Sequence, residues 1–161
     1  MGDGAKKSDL KSILNSTHVG ELLLQAGVEL RPDQSVAEAA AEMRTQSHGS
    51  AVICEGQTLV GIFTERDLLG FLARGGDLQT PLADVMTERP HTVSQDDFLI
   101  DAIRLMDSGG YRRVPVVDEN GASSGIVDVK TVVHLLVEHF PAAVYNQASQ
   151  DQIIARSREG A

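Results

Sequence analysis

Two stretches of the chain, Val28–Leu72 and His91–Leu136, run in register with each other, and a repeat of that length restricts the reachable folds more than any other feature. Early in the repeat the offset is 63, pairing Asp33 with Asp96, Ala39 with Ala102 and Met43 with Met106. The glycine pair Gly109-Gly110 suggests one inserted residue there. Beyond it an offset of 64 pairs Val52 with Val116, Ile53 with Val117, Gly61 with Gly125 and Ile62 with Ile126. The likeness continues upstream, where Val19-Gly20-Glu21-Leu22-Leu23 parallels Leu82-Ala83-Asp84-Val85-Met86.

Each copy carries the same order of elements. A short extended piece (Val28–Leu30; Thr92–Ser94) precedes a helix whose apolar residues fall at i, i+3, i+4 and i+7, as Val36, Ala39, Ala40 and Met43 in the first copy. Leu99, Ala102, Ile103 and Met106 repeat that stripe, and Ser35 with Glu38 forms a capping box at the first helix start. Two β-rich runs follow (Ser50–Ile53 and Thr58–Phe63; Val114–Val117 and Ser124–Val129), with turns at Glu55-Gly56 and Asn120-Gly121. A closing helix, Glu65–Leu72 or Lys130–His139, completes a β-α-β-β-α unit. One such unit cannot bury both faces of its strands, whereas two packed sheet to sheet can, leaving a symmetric pair of clefts between them. The expectation is an α+β fold of two units: an N-terminal segment 1–17, units at 18–74 and 81–140, a linker at 75–80 and a tail at 141–161. Residues Ser8–Gln25 read as a lead-in helix, and Ile153-Ile154 as a possible anchor in a tail otherwise without a core pattern.

Composition narrows the function. The formal charge of −9 repels a nucleic-acid backbone over most of the surface, so polyanion binding is not expected as the main activity. The one cysteine, Cys54, forms no internal disulfide and excludes a Cys-rich zinc site. Five histidines (His18, His48, His91, His134, His139) are not spaced as metal ligands, since His134 and His139 do not share a helix face. No apolar run approaches the ~18 residues of a membrane helix. A cytoplasmic protein is expected, without membrane or nucleic-acid partners.

The segment Gly61-Ile62-Phe63-Thr64-Glu65-Arg66-Asp67 follows the pattern G-h-h-[ST]-x-x-D leading into a helix, and Arg113-Val114-Pro115-Val116-Val117 follows h-P-V-h. Within a register-true repeat, these resemble the tandem cystathionine β-synthase (CBS) domain pair, over roughly Val19–Phe140. The second copy departs from the family at Gly125-Ile126-Val127-Asp128-Val129-Lys130-Thr131, with Asp128 in the Ser/Thr place and Thr131 in the Asp place. The resemblance implies two units related by a pseudo-two-fold axis, a homodimeric disc, and a non-catalytic regulatory module. It implies an adenosine-containing ligand (AMP, ADP, ATP or S-adenosylmethionine), as in energy sensing, with an effector protein reading the bound state and no cofactor.

An ionised carboxylate accepts the two adjacent ribose hydroxyls side by side, which assigns Asp67 to the sugar and Thr64 to a phosphate or the ribose. The same Thr64-x-x-Asp67 spacing is also a capping box, so a purely structural role stays open. In the family, residues just before h-P of one copy reach the phosphate over the other copy's Asp, which assigns Arg112 and Arg113 to the Asp67 site. Strand alternation lets only one of them face the cleft squarely, and a solvated edge pair is the alternative. Arg66 is a third candidate cation. Adenine is expected near Ala26, Val28 and Ile62, with Ser47 and His48 close by. The first-copy counterparts of the arginines read as His48 and Gly49, so the second cleft lacks both the carboxylate and the arginine pair. One competent site per chain is expected. A structural or interaction module with an empty cleft is the alternative function.

Overall fold

A computed structural model describes residues 3–139, with side chains from residue 10 to 138. Helix α1 (Asp3–Ser16) leads to a 3-10 turn at Val19–Glu21 and then to β1 (Val28–Leu30), α2 (Val36–Gln46), β2 (Ser50–Glu55), β3 (Thr58–Thr64) and α3 (Glu65–Ala73). A second 3-10 turn at Leu82–Asp84 precedes β4 (Thr87–Glu88), β5 (Val93–Ser94), α4 (Leu99–Gly109), β6 (Arg113–Val117), β7 (Ser123–Asp128) and α5 (Val129–His139). The mixed α+β architecture and the β-α-β-β-α order of each copy are those expected from the sequence. The lead-in helix differs: it covers 3–16 rather than 8–25, because the chain at His18 turns extended and Val19 and Leu22 are pinned in the second core by backbone bonds to Asp97 and Gln95. The tail expected at 141–161, with Ile153 and Ile154, lies outside the described residues.

The strands form two sheets, ordered β1-β2-β3-β4 and β5-β6-β7. Side-chain alternation sends Ala51, Ile53 and Phe63 to one face of the first sheet, where they join Val28, Leu30, Val36, Ala39, Met43 and Phe71 in a core under the helices. Val114, Val116 and Val127 do the same for the second half with Leu99, Ala102 and Met106. On the opposite faces, Val52 and Cys54 meet Ile126, so the two sheets pack against each other.

The strand pairing corrects the point of insertion. Ala51 pairs with Phe63 and Ile53 with Gly61, while Val114 pairs with Val127 and Val116 with Gly125. The offset therefore stays at 63 through β2 and β6 and becomes 64 only after the hairpin turn. The extra residue lies between Val117 and Ser123, not at Gly109-Gly110. Gly110 is instead the left-handed cap of α4 (φ 68), matching Ser47 (φ 55) at the end of α2. In consequence Arg113 corresponds to Ser50, and Arg112 to Gly49.

The two lead-ins are exchanged. Val19 and Leu22, which precede the first copy, are buried in the core of the second. Leu82, which precedes the second copy, is fully buried in the core of the first. Backbone bonds repeat the exchange symmetrically: Val19 N and Gly20 N donate to Asp97 O and Gln95 O, and Leu82 N and Ala83 N to Gln34 O and Pro32 O. After Leu82, β4 adds to β3 as a fourth strand of the first sheet. The chain at Gln25 likewise bridges Ile126 of β7, with bonds in both directions of 3.1 and 3.3 Å. Each sequence copy thus begins inside its neighbour's core, which ties the halves into one body.

Candidate functional site

Helix α3 starts where β3 ends, and its first turn is organised by two side chains. Thr64, the N-cap, accepts from Asp67 N at 3.2 Å, while Asp67 Oδ2 accepts from Thr64 N at 2.9 Å and from Thr64 Oγ1 at 3.0 Å. The capping box expected as the structural alternative is therefore formed. It engages Oδ2, and the second oxygen of the half-buried carboxylate, Oδ1, takes no hydrogen bond from the described residues. A carboxylate has lone pairs for about four bonds, so capping and ligand contact are compatible at Asp67.

Across the inter-sheet gap lies Arg113. It opens β6 on the face opposite Val114, so alternation turns it away from its own core and toward the first half. Its guanidinium reaches Gly49: a Cβ placed on that glycine would lie 2.9 Å from Arg113 Nη2 and 3.0 Å from Glu65 Oε2. Gly49 O also accepts from Glu65 N at 3.0 Å, which fixes this point at the mouth of α3. A residue of the second copy thus sits at the helix start that carries Thr64 and Asp67, where the backbone N–H groups favour an anion. Gly49 leaves the space for it.

The other expected residues divide. Arg112 precedes β6 and is exposed; its carbonyl accepts from Val129 N at 2.9 Å, and Arg113 is the one of the pair that crosses. Arg66 is exposed in the first turn of α3. Ile62 lies on the inter-sheet side of β3, opposite the core residue Phe63. Ala26 is exposed on the segment between Gln25 and β1, beside the half-buried Gly27 that touches Ile126. Ser47 caps α2 and is exposed, and His48 is half-buried after it. Val28 departs from its expected place: its side chain is 1% exposed within the helix-side core, so it offers no wall to the gap.

At the equivalent position of the second half an ion pair engages the residue in the motif's Ser/Thr place. Arg113 and Asp128 are directly opposed in the β6–β7 pair, and Arg113 Nε lies 3.0 Å from Asp128 Oδ2. Asp128 is buried, and its Oδ1 accepts from Lys130 N at 2.7 Å, capping α5. Thr131 supplies no carboxylate there. Glu65, Gly49 and Asp128 were not among the expected site residues. The signal for Asp128 was available, since an acid in the motif's Ser/Thr place faces an arginine one hairpin away.

Among the described residues no group of His, Cys, Asp and Glu side chains is arranged to hold a metal ion. None of the described helices is long and apolar enough to cross a membrane.

A family model, the CBS domain, matches the chain twice, at residues 19–74 and 82–138. An uncharacterized 17.7 kDa protein of Acidianus ambivalens is 32% identical over 76% of this chain and 75% of its own length. Other curated relatives are matched over smaller shares of their length, from 64% down to 22%. Among solved structures, the CBS domain protein PAE2072 of Pyrobaculum aerophilum complexed with AMP superposes with a TM-score of 0.69 at 26% identity, covering 83% of this chain and 98% of that one. The CBS domain pair of protein MJ0100, in complex with 5'-methylthioadenosine and S-adenosyl-L-methionine, gives a TM-score of 0.68 at 25% identity over 74% of this chain and 99% of that one.

Proposed function

Because the chain belongs to the CBS domain family, we propose that it is a non-catalytic regulatory module that binds an adenosine-containing ligand between its two halves, at one site per chain. The observation that carries this is the crossing of Arg113 from the second half to the start of α3, beside Thr64 and Asp67. In this reading Asp67 Oδ1 accepts from the ribose hydroxyls, and the Arg113 Nη groups with the α3 N-terminus hold the first phosphate. Each hydrogen bond to a charged group contributes about 1.5–3 kcal/mol. The neighbours that carry AMP, or methylthioadenosine and S-adenosylmethionine, support the ligand class. AMP, ADP and ATP are the proposed ligands, with S-adenosylmethionine as the alternative. The Arg113–Asp128 pair supports a single competent site, because it engages the side chain in the Ser/Thr place of the second copy, where Thr131 supplies no carboxylate.

Binding would bias the angle between the halves, and an effector protein would read the change; the ligand shifts that equilibrium only by its difference in affinity for the two states. Exposed apolar residues on α3 and α5, Leu69, Leu72, Val133 and Val137, with Leu69 and Val133 at matching places, support a homodimer through those helices. A cytoplasmic address is proposed with it. The second reading, an interaction module with an empty gap, draws on the capping bonds of Asp67. Calorimetry with AMP, ADP, ATP and S-adenosylmethionine separates the two. The nucleotide reading expects heat with an adenine nucleotide and its loss in Asp67→Ala, whereas no heat from any of the four supports the interaction module.

A further inference from the structure

The cation proposed for the phosphate is not a free charge. Arg113 Nε is held by the buried Asp128 at 3.0 Å, and its Nη2 shares the space above Gly49 with the Glu65 carboxylate. One carboxylate therefore pairs with this guanidinium directly, and a second stands near it beyond ion-pair distance. At the α3 start Arg66 and Arg113 stand with Glu65 and Asp67, and Asp128 adds a further negative charge on Arg113. Asp128 is the member least screened by water, since its side chain is only 6% exposed.

We propose that Asp128, through its bond to Arg113, sets the phosphate selectivity of the Asp67 site, holding it for adenosine ligands of low negative charge and against polyphosphates. This rests on the nucleotide reading above and names the specificity of that site. The departure of the second copy from its family motif then has a consequence in the first. An acid in place of Ser or Thr gives up one cleft and lowers the positive charge in the other. At the separations spanned by one arginine side chain, a unit charge in a partly buried site changes the affinity for a phosphate by about tenfold.

Asp128→Asn tests this with little change of shape: the amide oxygen can still cap α5 and only the charge is removed. Adenosine, AMP and ATP are titrated by calorimetry into the unaltered chain and the variant. The expected result is a rise of about tenfold in the AMP-to-adenosine affinity ratio, a larger rise in the ATP-to-adenosine ratio, and a steeper loss of AMP binding with salt. A general disturbance of the fold would weaken all three ligands together and leave the ratios in place. Glu65→Gln, at an exposed position, provides a second variant and is expected to raise the same ratio by a smaller factor. Ratios unchanged or lowered in both variants, with the unaltered chain binding AMP, overturn the role of Asp128 alone. No binding of any of the three by the unaltered chain overturns the nucleotide reading, and this inference with it.

Discussion

Gly49→Ala is expected to separate ligand binding from stability. The backbone at Gly49 is outside the left-handed region, so alanine fits it without strain. The new methyl would meet Arg113 Nη2 at 2.9 Å, Glu65 Oε2 at 3.0 Å and Arg113 Cζ at 3.1 Å. All three are far ends of flexible side chains, and the guanidinium must move by about half an ångström to restore ordinary contact at 3.4 Å or more. The fold tolerates that shift. The bond from Glu65 N to Gly49 O is untouched, and alanine lowers the entropy of the unfolded chain by about 0.4–1 kcal/mol. Net stability should stay within about 1 kcal/mol. A displaced guanidinium, however, no longer aims its Nη groups at the α3 start. Loss of one charge-assisted bond, at about 1.5–3 kcal/mol, weakens AMP by tenfold or more. Denaturant melts and AMP calorimetry on the same samples read both quantities. AMP affinity within twofold of the unaltered chain would refute the assignment of Arg113 to the first site.

Leu82→Ala should cost about 2–5 kcal/mol, because Leu82 is fully buried. Hydrogen exchange should quicken in β1–β3 of the first half rather than in β5–β7; the reverse would contradict the exchanged lead-ins. Gly125→Ala should cost more than ~2 kcal/mol, since φ is 126 and Gln25 O and Leu24 Cβ both lie 3.0 Å from the added carbon. A denaturant midpoint unchanged from that of the unaltered chain would contradict it. Burial, with the Glu29 carboxylate adding to it, pushes the Cys54 thiol up from 9.0 to about 11. Between those values the unfolded chain has lost a proton that the folded chain retains, so this contribution is intact below pH 9 and declines as pH rises toward 11. The decline is about 1.4 kcal/mol per pH unit. Cys54→Ala should flatten that part of the stability curve, and an equal slope in both proteins would count against the raised thiol.

The helices and strands of both copies were legible because their periods differ and the copies check each other. Ser35 with Glu38 and Thr64 with Asp67 announced helix starts, and both boxes are formed. The point of insertion was obscured by the run Val114-Pro115-Val116-Val117, which matches Ala51-Val52-Ile53-Cys54 nearly as well one residue over. Only the ladder partners resolve it. The exchange of Val19 and Leu82 was hidden for another reason: a short apolar segment shows that it is buried but not in which core. The face that the Val28 side chain takes was not legible, because strand residues of either face look alike in sequence. The crossing of Arg113 was half legible, since alternation limited the cleft to one arginine, but its pairing with Asp128 needed the register of β6 on β7.

A crystal structure of the chain grown with AMP addresses the central claim most directly, because it reads both clefts at once. A nucleotide is expected in the first cleft alone, its ribose on Asp67 Oδ1 and its phosphate within reach of Arg113, with Asp128 still bound to Nε. A nucleotide seated beside Thr131, or one in the first cleft that touches neither Asp67 nor Arg113, would contradict it.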